Sequence, residues 1–259
     1  MSMKDVVYVE QAGAVCTIVL NRPEKMNALT HDMIGRVRDA LATAQGDDSV
    51  KAILLRGEGR AFSVGDDLSD LSSAAAEAEH QAYLVGVLQD VTRQIMIGPK
   101  PVVALVQGWA IGAAFSWVLN CDLVVCAQSA KAFFPELKWG VSPTGAATVL
   151  APKVLGVGAA RSAFLELRRF SADELLALGA VSRVVADEDA LQAAVDCVNE
   201  LAGRPEVALQ GVKRLMNRSL IGGLDDILAH EAALAVATAI SDEVTGRIDP
   251  FLKPNTSVQ

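Results

Sequence analysis

Gln107-Gly108-Trp109-Ala110-Ile111-Gly112-Ala113-Ala114-Phe115-Ser116 reads as a strand end, a glycine-containing turn and a helix start. The second stretch, Phe133-Phe134-Pro135-Glu136-Leu137-Lys138-Trp139-Gly140-Val141-Ser142-Pro143, sets one carboxylate, Glu136, twenty residues after Ser116 and among apolar residues. The leading N–H groups of a helix have no acceptor within the helix. Its dipole favours negative charge there. Small side chains at Gly112, Ala113 and Ala114 let a ligand oxygen approach; the same small residues also suit tight helix packing. Phe133, Phe134, Leu137 and Trp139 should desolvate Glu136 and raise its basicity. Free N–H groups beside a desolvated carboxylate suit enolate chemistry.

Working outward, Val6–Val9 and Val15–Leu20 are β-branched runs separated by Ala12-Gly13, a hairpin signal. A turn-rich loop over 21–27 follows, and Thr30 caps a helix carrying Met33, Ile34, Val37 and Leu41 at helical spacing. Ala52–Leu55 is a buried strand closed by Gly57-Glu58-Gly59. Residues 60–80 form a loop, and a long helix runs from about Glu77 to Ile97. Val102–Val106, Leu123–Cys126 and Ala132–Phe134 are strands, with a buried helix over Gly112–Leu119. From about residue 145 helices take over. Leu191, Val195, Val198 and Leu201 stripe one of them, Pro205 opens the next, and a third spans Asp225–Ile240. This is an α/β chain of irregular ββα units over residues 1–200, followed by a helical region over 201–259.

The composition agrees with a full core: 51% of the 259 residues are hydrophobic and 21% charged. The net charge is −8 with no basic block, which argues against nucleic acid or anionic membrane as partner. Cys16, Cys121, Cys126 and Cys197 form no C-x-x-C pair and read as reduced buried thiols of a cytoplasmic protein. His31, His80 and His230 lie far apart, so no metal site is expected. The N-terminus lacks a signal-peptide apolar region, and no apolar run reaches the ~20 residues of a membrane span.

Gly57-Glu58-Gly59 after a strand invites a dinucleotide reading. Phe62 replaces the third glycine of that fingerprint and a loop follows, so it is rejected. No phosphate-binding P-loop and no nucleophile elbow occur. Asp122 reads as a turn-fixing residue, and Trp109 and Trp139 as pocket wall or core. Arg168, Arg169 and Arg183 read as surface or subunit-contact charges.

Five stretches in order resemble the enoyl-CoA hydratase/isomerase family, the crotonase superfamily. They are Leu20-Asn21-Arg22-Pro23-Glu24-Lys25-Met26-Asn27-Ala28-Leu29, Ala61-Phe62-Ser63-Val64-Gly65-Asp66-Asp67-Leu68, the segment from Pro101 to Asp122, Pro135-Glu136 with Gly140 and Pro143, and Ser171-Ala172-Asp173-Glu174 through Val185. The resemblance implies a spiral of ββα units, a helical C-terminal trimerisation region, a homotrimer or dimer of trimers, and an acyl-CoA thioester as substrate. Coenzyme A is then part of the substrate, and no separate cofactor is implied.

By the same resemblance the thioester oxygen is held by the N–H groups of Asp66 and Ala113. Val64, Gly65, Gly112 and Trp139 line the substrate site. Lys25, Ala28 and Leu68 meet the adenine and phosphate end, and Lys213 and Lys253 lie where relatives often add phosphate contacts. A carboxylate at position 66 suits a developing enolate only if it points away or is paired. Hydratases of the family use two glutamates; Glu136 matches the second, and Ser116 stands at the first. A hydroxyl cannot accept a proton at neutral pH, and losing one acid–base group costs about 10²–10⁴-fold. The expected reaction is therefore Δ3,Δ2-enoyl-CoA isomerisation, with Glu136 as sole carboxylate and Ser116 a neutral pocket residue. The alternatives are a weak or specialised hydratase and a non-catalytic acyl-CoA-binding protein.

Overall fold

The computed structural model describes residues 5–70, 78–220 and 222–252. The expected hairpin forms from β1 (Val7–Ala12) and β2 (Val15–Leu20), turning at Gly13-Ala14. Thr30 caps α1 (His31–Gly46) by accepting the Met33 N–H at 3.2 Å, and Met33, Ile34, Val37 and Leu41 are buried. There follow β3 (Ala52–Gly57), α2 (Ala78–Met96), β4 (Val102–Val106), β5 (Trp109–Ile111), α3 (Ala113–Asn120), β6 (Leu123–Ala127), β7 (Lys131–Phe133) and the single-turn α4 (Glu136–Trp139). Then come α5 (Ala147–Val154), α6 (Val157–Leu165), β8 (Phe170–Ser171), α7 (Ala172–Ala177), β9 (Arg183–Val185), α8 (Ala190–Ala202), α9 (Glu206–Leu220), α10 (Leu224–Ala239) and α11 (Asp242–Leu252).

The main sheet runs β1-β2-β3-β4-β6-β9, parallel except at the β1–β2 hairpin. A second sheet, β5-β7-β8, takes the short strands. Each turn of the chain thus sends one long strand to the first sheet and one short strand to the second, then a helix. β4-β5-α3 and β6-β7-α4 show the unit plainly. After β3 the short strand shrinks to a bridge from Ser63 to Ala110. This is the expected spiral of ββα units.

Parallel strands covered on both faces read as continuous apolar runs. Side chains alternate between the faces. Ile53, Leu55, Val102, Ala104, Val106, Val124 and Cys126 join the large core with α1, α2 and α3. Leu54, Val103, Leu105 and Val125 face the other way, onto α8. The helix meets them through Ala190, Ala194, Cys197 and Val198, whereas Leu191 is half exposed. The expected Leu191 stripe is corrected: small residues let the helix lie close to the sheet, and Leu191 falls outside that contact.

The helical C-terminal region is tied to the spiral by buried polar bonds. Gln89 donates to the Leu228 carbonyl at 2.6 Å. The buried Glu231 carboxyl accepts from Ala146 N–H at 2.7 Å, Thr148 N–H at 3.0 Å and the Thr148 hydroxyl at 2.5 Å. It caps the start of α5 from a distant helix. Lys213 in α9 is buried and donates to the Ile95 and Lys100 carbonyls and, at 2.7 Å, to Asp122. Asp122 also accepts the Val102 N–H at 2.8 Å, so it fixes the entry to β4 as its sequence position suggests. Lys213 is therefore spent inside the fold and is no phosphate contact. Lys253 lies outside the described residues. No helix among the described residues is long and apolar enough to cross a membrane.

Removing one partner of a buried ion pair leaves an uncompensated charge, which costs about 3–5 kcal/mol. Lys213→Ala should lower the unfolding free energy by that order in chemical denaturation. A loss below about 1 kcal/mol, the range of a surface pair, would show that the pair does not hold α9 to β4.

Candidate active site

The site begins at Asn27, a buried residue at φ 55° that knits two loops together. Its side chain donates to the Glu58, Ala61 and Phe62 carbonyls and accepts the Arg22 N–H at 2.8 Å. Ser63 donates to the Asn27 carbonyl at 2.7 Å and accepts the Gly65 N–H at 3.1 Å. The chain from 63 to 67 is then held on both edges. Ser63 pairs with Trp109 and Ile111 on one side, and Leu29 bonds to Gly65 and Asp67 on the other. In a parallel bridge the residue opposite Leu29 turns its own N–H to the far edge. Asp66 is that residue, so its N–H faces the strand that leads into α3.

Gly65, at φ +78°, could carry no side chain here: a Cβ would stand 2.5 Å from the Ile111 carbonyl oxygen. Gly112, at φ +58°, precedes α3, and a Cβ on it would stand 3.1 Å from Glu136 Oε1. The two glycines bring the Asp66 loop, the start of α3 and the Glu136 carboxyl together. Neither the Asp66 nor the Ala113 N–H has a protein acceptor among the described residues. Two unspent donors on rigid backbone suit a developing oxyanion.

Glu136 is buried, and its Oε2 has no hydrogen-bond partner among the described residues. Burial pushes its carboxyl up to about 8; its own backbone N–H opposes the shift and Asp66 adds to it. Its apolar setting is only partly the expected one. Phe134 is fully buried and stacks between Phe115 and Phe164, with ring centroids 4.7 Å apart in each pair. Phe133 and Trp139 line the cavity that Glu136 faces, but Leu137 is 46% exposed and desolvates nothing. On a helix of one turn, the residue after Glu136 points outward.

Glu136 and Asp66 stand where two cavities meet. The outer, about 630 Å³, is lined by Lys25, Ala28, Val64, Gly65, Leu68, Gly112 and Trp139. Arg22, Lys138 and Arg169 add positive charge to it. The inner, about 80 Å³, is largely apolar, with Leu29, Ile34, Leu88, Ala113, Ala235 and Ala239 in its wall. Arg169 is exposed, as the sequence reading has it, and it also lines the outer cavity. Its guanidinium lies 5.2 Å from the Phe133 ring and 5.8 Å from Trp109. Lys138 lies 4.5 Å over Trp139. Arg22 is held by Asp67 at 3.0 Å.

Two expectations change. Ser116 lines neither cavity; it is 1% exposed and its hydroxyl donates back to the Gly112 carbonyl at 3.4 Å. Nor is Glu136 the sole carboxyl. The Asp66 side chain neither turns away nor pairs, and it lines both cavities. It is open to water, yet the space it faces is the cavity and protein surrounds it, so burial pushes it up to about 6. Among the described residues no group of His, Cys, Asp and Glu could hold a metal ion.

The sequence model of the family described as enoyl-CoA hydratase/isomerase matches residues 10–253. The short-chain-enoyl-CoA hydratase of Clostridium acetobutylicum is 27% identical over 227 residues, covering 87% of this chain and 86% of that protein. The 1,2-epoxyphenylacetyl-CoA isomerase of Escherichia coli is 31% identical over 219 residues, 84% of each. The crystal structure of an enoyl-CoA hydratase from Mycobacterium avium subsp. paratuberculosis superposes with a TM-score of 0.87 at 27% identity, covering 96% of this chain and all of that one. The match to the family model over nearly the whole chain, on a spiral of ββα units, makes this protein a member of the enoyl-CoA hydratase/isomerase family, within the crotonase superfamily.

Proposed function

We propose that this family member isomerises a Δ3-enoyl-CoA to the Δ2-enoyl-CoA through a thioester enolate. The observation that carries the reading is the buried Glu136 carboxyl against Gly112, its Oε2 without a partner among the described residues, beside the free N–H groups of Asp66 and Ala113. The thioester oxygen sits between those N–H groups, and Glu136 is the proton-carrying carboxyl at the acyl carbons. The outer cavity takes the coenzyme A part. Its Arg22, Lys25, Lys138 and Arg169 suit phosphates in a chain of net charge −8. The acyl chain enters the inner apolar cavity. Large apolar side chains left exposed on α9, Val207, Leu215 and Met216, support association into a homotrimer or a dimer of trimers.

A second reading, hydration of a Δ2-enoyl-CoA, is favoured by the names of hydratase relatives such as the Clostridium enzyme. The placement of Ser116 stands against it: no hydroxyl or carboxylate from that position reaches the cavity to hold a water.

Ala113 is the first residue of α3, where proline is tolerated and only the free N–H is lost. Ala113→Pro should stay folded and lose about 10²–10³-fold in turnover; unchanged turnover would move the oxyanion site elsewhere. Glu136→Gln keeps the shape and removes the proton, so isomerisation of 3-hexenoyl-CoA should fall about 10²–10⁴-fold. Wild type should isomerise 3-hexenoyl-CoA faster than it hydrates crotonyl-CoA. The reverse preference would replace the isomerase reading with the hydratase one.

A further inference from the structure

Asp66 holds two functions that ordinarily conflict. Its backbone N–H points to the place where an enolate oxygen develops, while its side chain brings a carboxyl to the same junction. No hydrogen bond or ion pair among the described residues occupies that carboxyl. Asp66 and Glu136 both line the two cavities at their junction. A carboxylate that stays ionised beside a forming enolate repels it. The conflict disappears if the carboxylate is itself the group that takes the proton. Negative charge then moves from Asp66 to the thioester oxygen, and the cavity never holds more charge than it began with.

We propose that Asp66 and Glu136 act as a pair, Asp66 taking the C2 proton of the enoyl thioester and Glu136 delivering one to C4. This rests on the isomerase reading above and assigns the proton path within it. In the first step the C2–H bond breaks to the Asp66 carboxylate. Its electron pair forms the C1–C2 double bond, and the carbonyl pair moves onto the oxygen held by the Asp66 and Ala113 N–H groups. In the second step the C3–C4 π pair takes the Glu136 proton at C4. The C1–C2 pair shifts to C2–C3 and the carbonyl re-forms. Asp66 ends protonated and Glu136 ionised, and one proton passes from Asp66 back to Glu136 before the next turnover.

The ionisation order favours this direction. Asp66 loses its proton near 6 and Glu136 near 8, so between them the first is a base and the second an acid. The other charged or titratable groups facing the junction are His31 and Asp67 from the inner side and Arg22, Lys25, Lys138 and Arg169 from the outer. Burial lowers His31, which disfavours its charged form. Arg22 is committed to Asp67.

The test separates the two proton steps. Exchange of the C2 hydrogens of butyryl-CoA into heavy water reports proton removal alone, and isomerisation of 3-hexenoyl-CoA needs both steps. Asp66→Asn keeps the N–H and the shape. It should lose about 10²-fold or more in both assays while binding butyryl-CoA, by calorimetry, at least as tightly as wild type. Asp66→Ser should match it, which guards against an effect of one substitution on folding. Glu136→Gln should lose isomerisation and keep C2 exchange. Wild-type kcat should be bell-shaped in pH with limbs near 6 and 8, and Asp66→Asn should lose the acidic limb. Full activity in Asp66→Asn, or loss of C2 exchange in Glu136→Gln, would overturn the pair and leave Glu136 as a single shuttle. A wild type that neither exchanges C2 hydrogen nor isomerises would overturn the pair together with the reading beneath it.

Discussion

A buried carboxyl oxygen without a partner is costly, and the rest of this site is arranged around Glu136, whose Oε2 is in that state. The residue two before it, Phe134, is buried in a stack with Phe115 and Phe164, which anchors the chain that enters α4. A side chain on the residue facing Glu136 would meet its carboxyl, so that residue is Gly112. Gly112, at φ +58°, stands where the short strand β5 gives way to α3. The ββα repeat thus does more than enclose a core. It ends a strand, opens a helix and leaves two backbone N–H groups unspent at the depth where an acid must stay dry.

The parts of this arrangement that follow from periodicity or backbone chemistry were legible in the sequence. Val102–Val106, the Thr30 cap, the helix after Gly112 and the apolar setting of Glu136 need only local patterns. What local pattern does not contain is direction. Leu137 and Trp139 are both large apolar residues within three positions of Glu136, yet a one-turn helix sends the first to solvent and the second to the cavity. Ser116 stands one turn into α3, and whether it faced the cavity or the helix backbone depended on packing against Gly145, set by residues far along the chain. Arg169 is read as surface and is exposed, but its place at the cavity is not in the local pattern. The short pairing of β8 with β7 carries it past Phe133 and into the outer cavity. The large Leu191 marks the α8 stripe less well than alanine does, because closeness to a flat sheet rewards small side chains.

Asp66 shows a different limit. The sequence poses the problem of an acidic residue at an oxyanion position, and it cannot say whether the side chain is turned aside. Two flanking bridges, to Leu29 and to the Trp109–Ile111 strand, use the neighbouring backbone groups and leave residue 66 with its N–H free. The same clamping fixes the side chain's direction, so the donor and the carboxyl reach one space by a single constraint.

Glu231 ties α10 to the start of α5, and the same helix contributes Ala235 and Ala239 to the inner cavity. Part of the wall that limits the acyl chain in the proposed reading is therefore built from a different part of the polypeptide than the groups that move protons. A lineage could exchange alanine for bulkier or smaller neighbours on α10 and change which thioesters it accepts, while the Gly112–Glu136 contact stays untouched. Substrate range and reactivity can drift independently here, because the anchor at Glu231 lies one helical turn from Ala235 and two from Ala239, the residues of this helix that do the selecting.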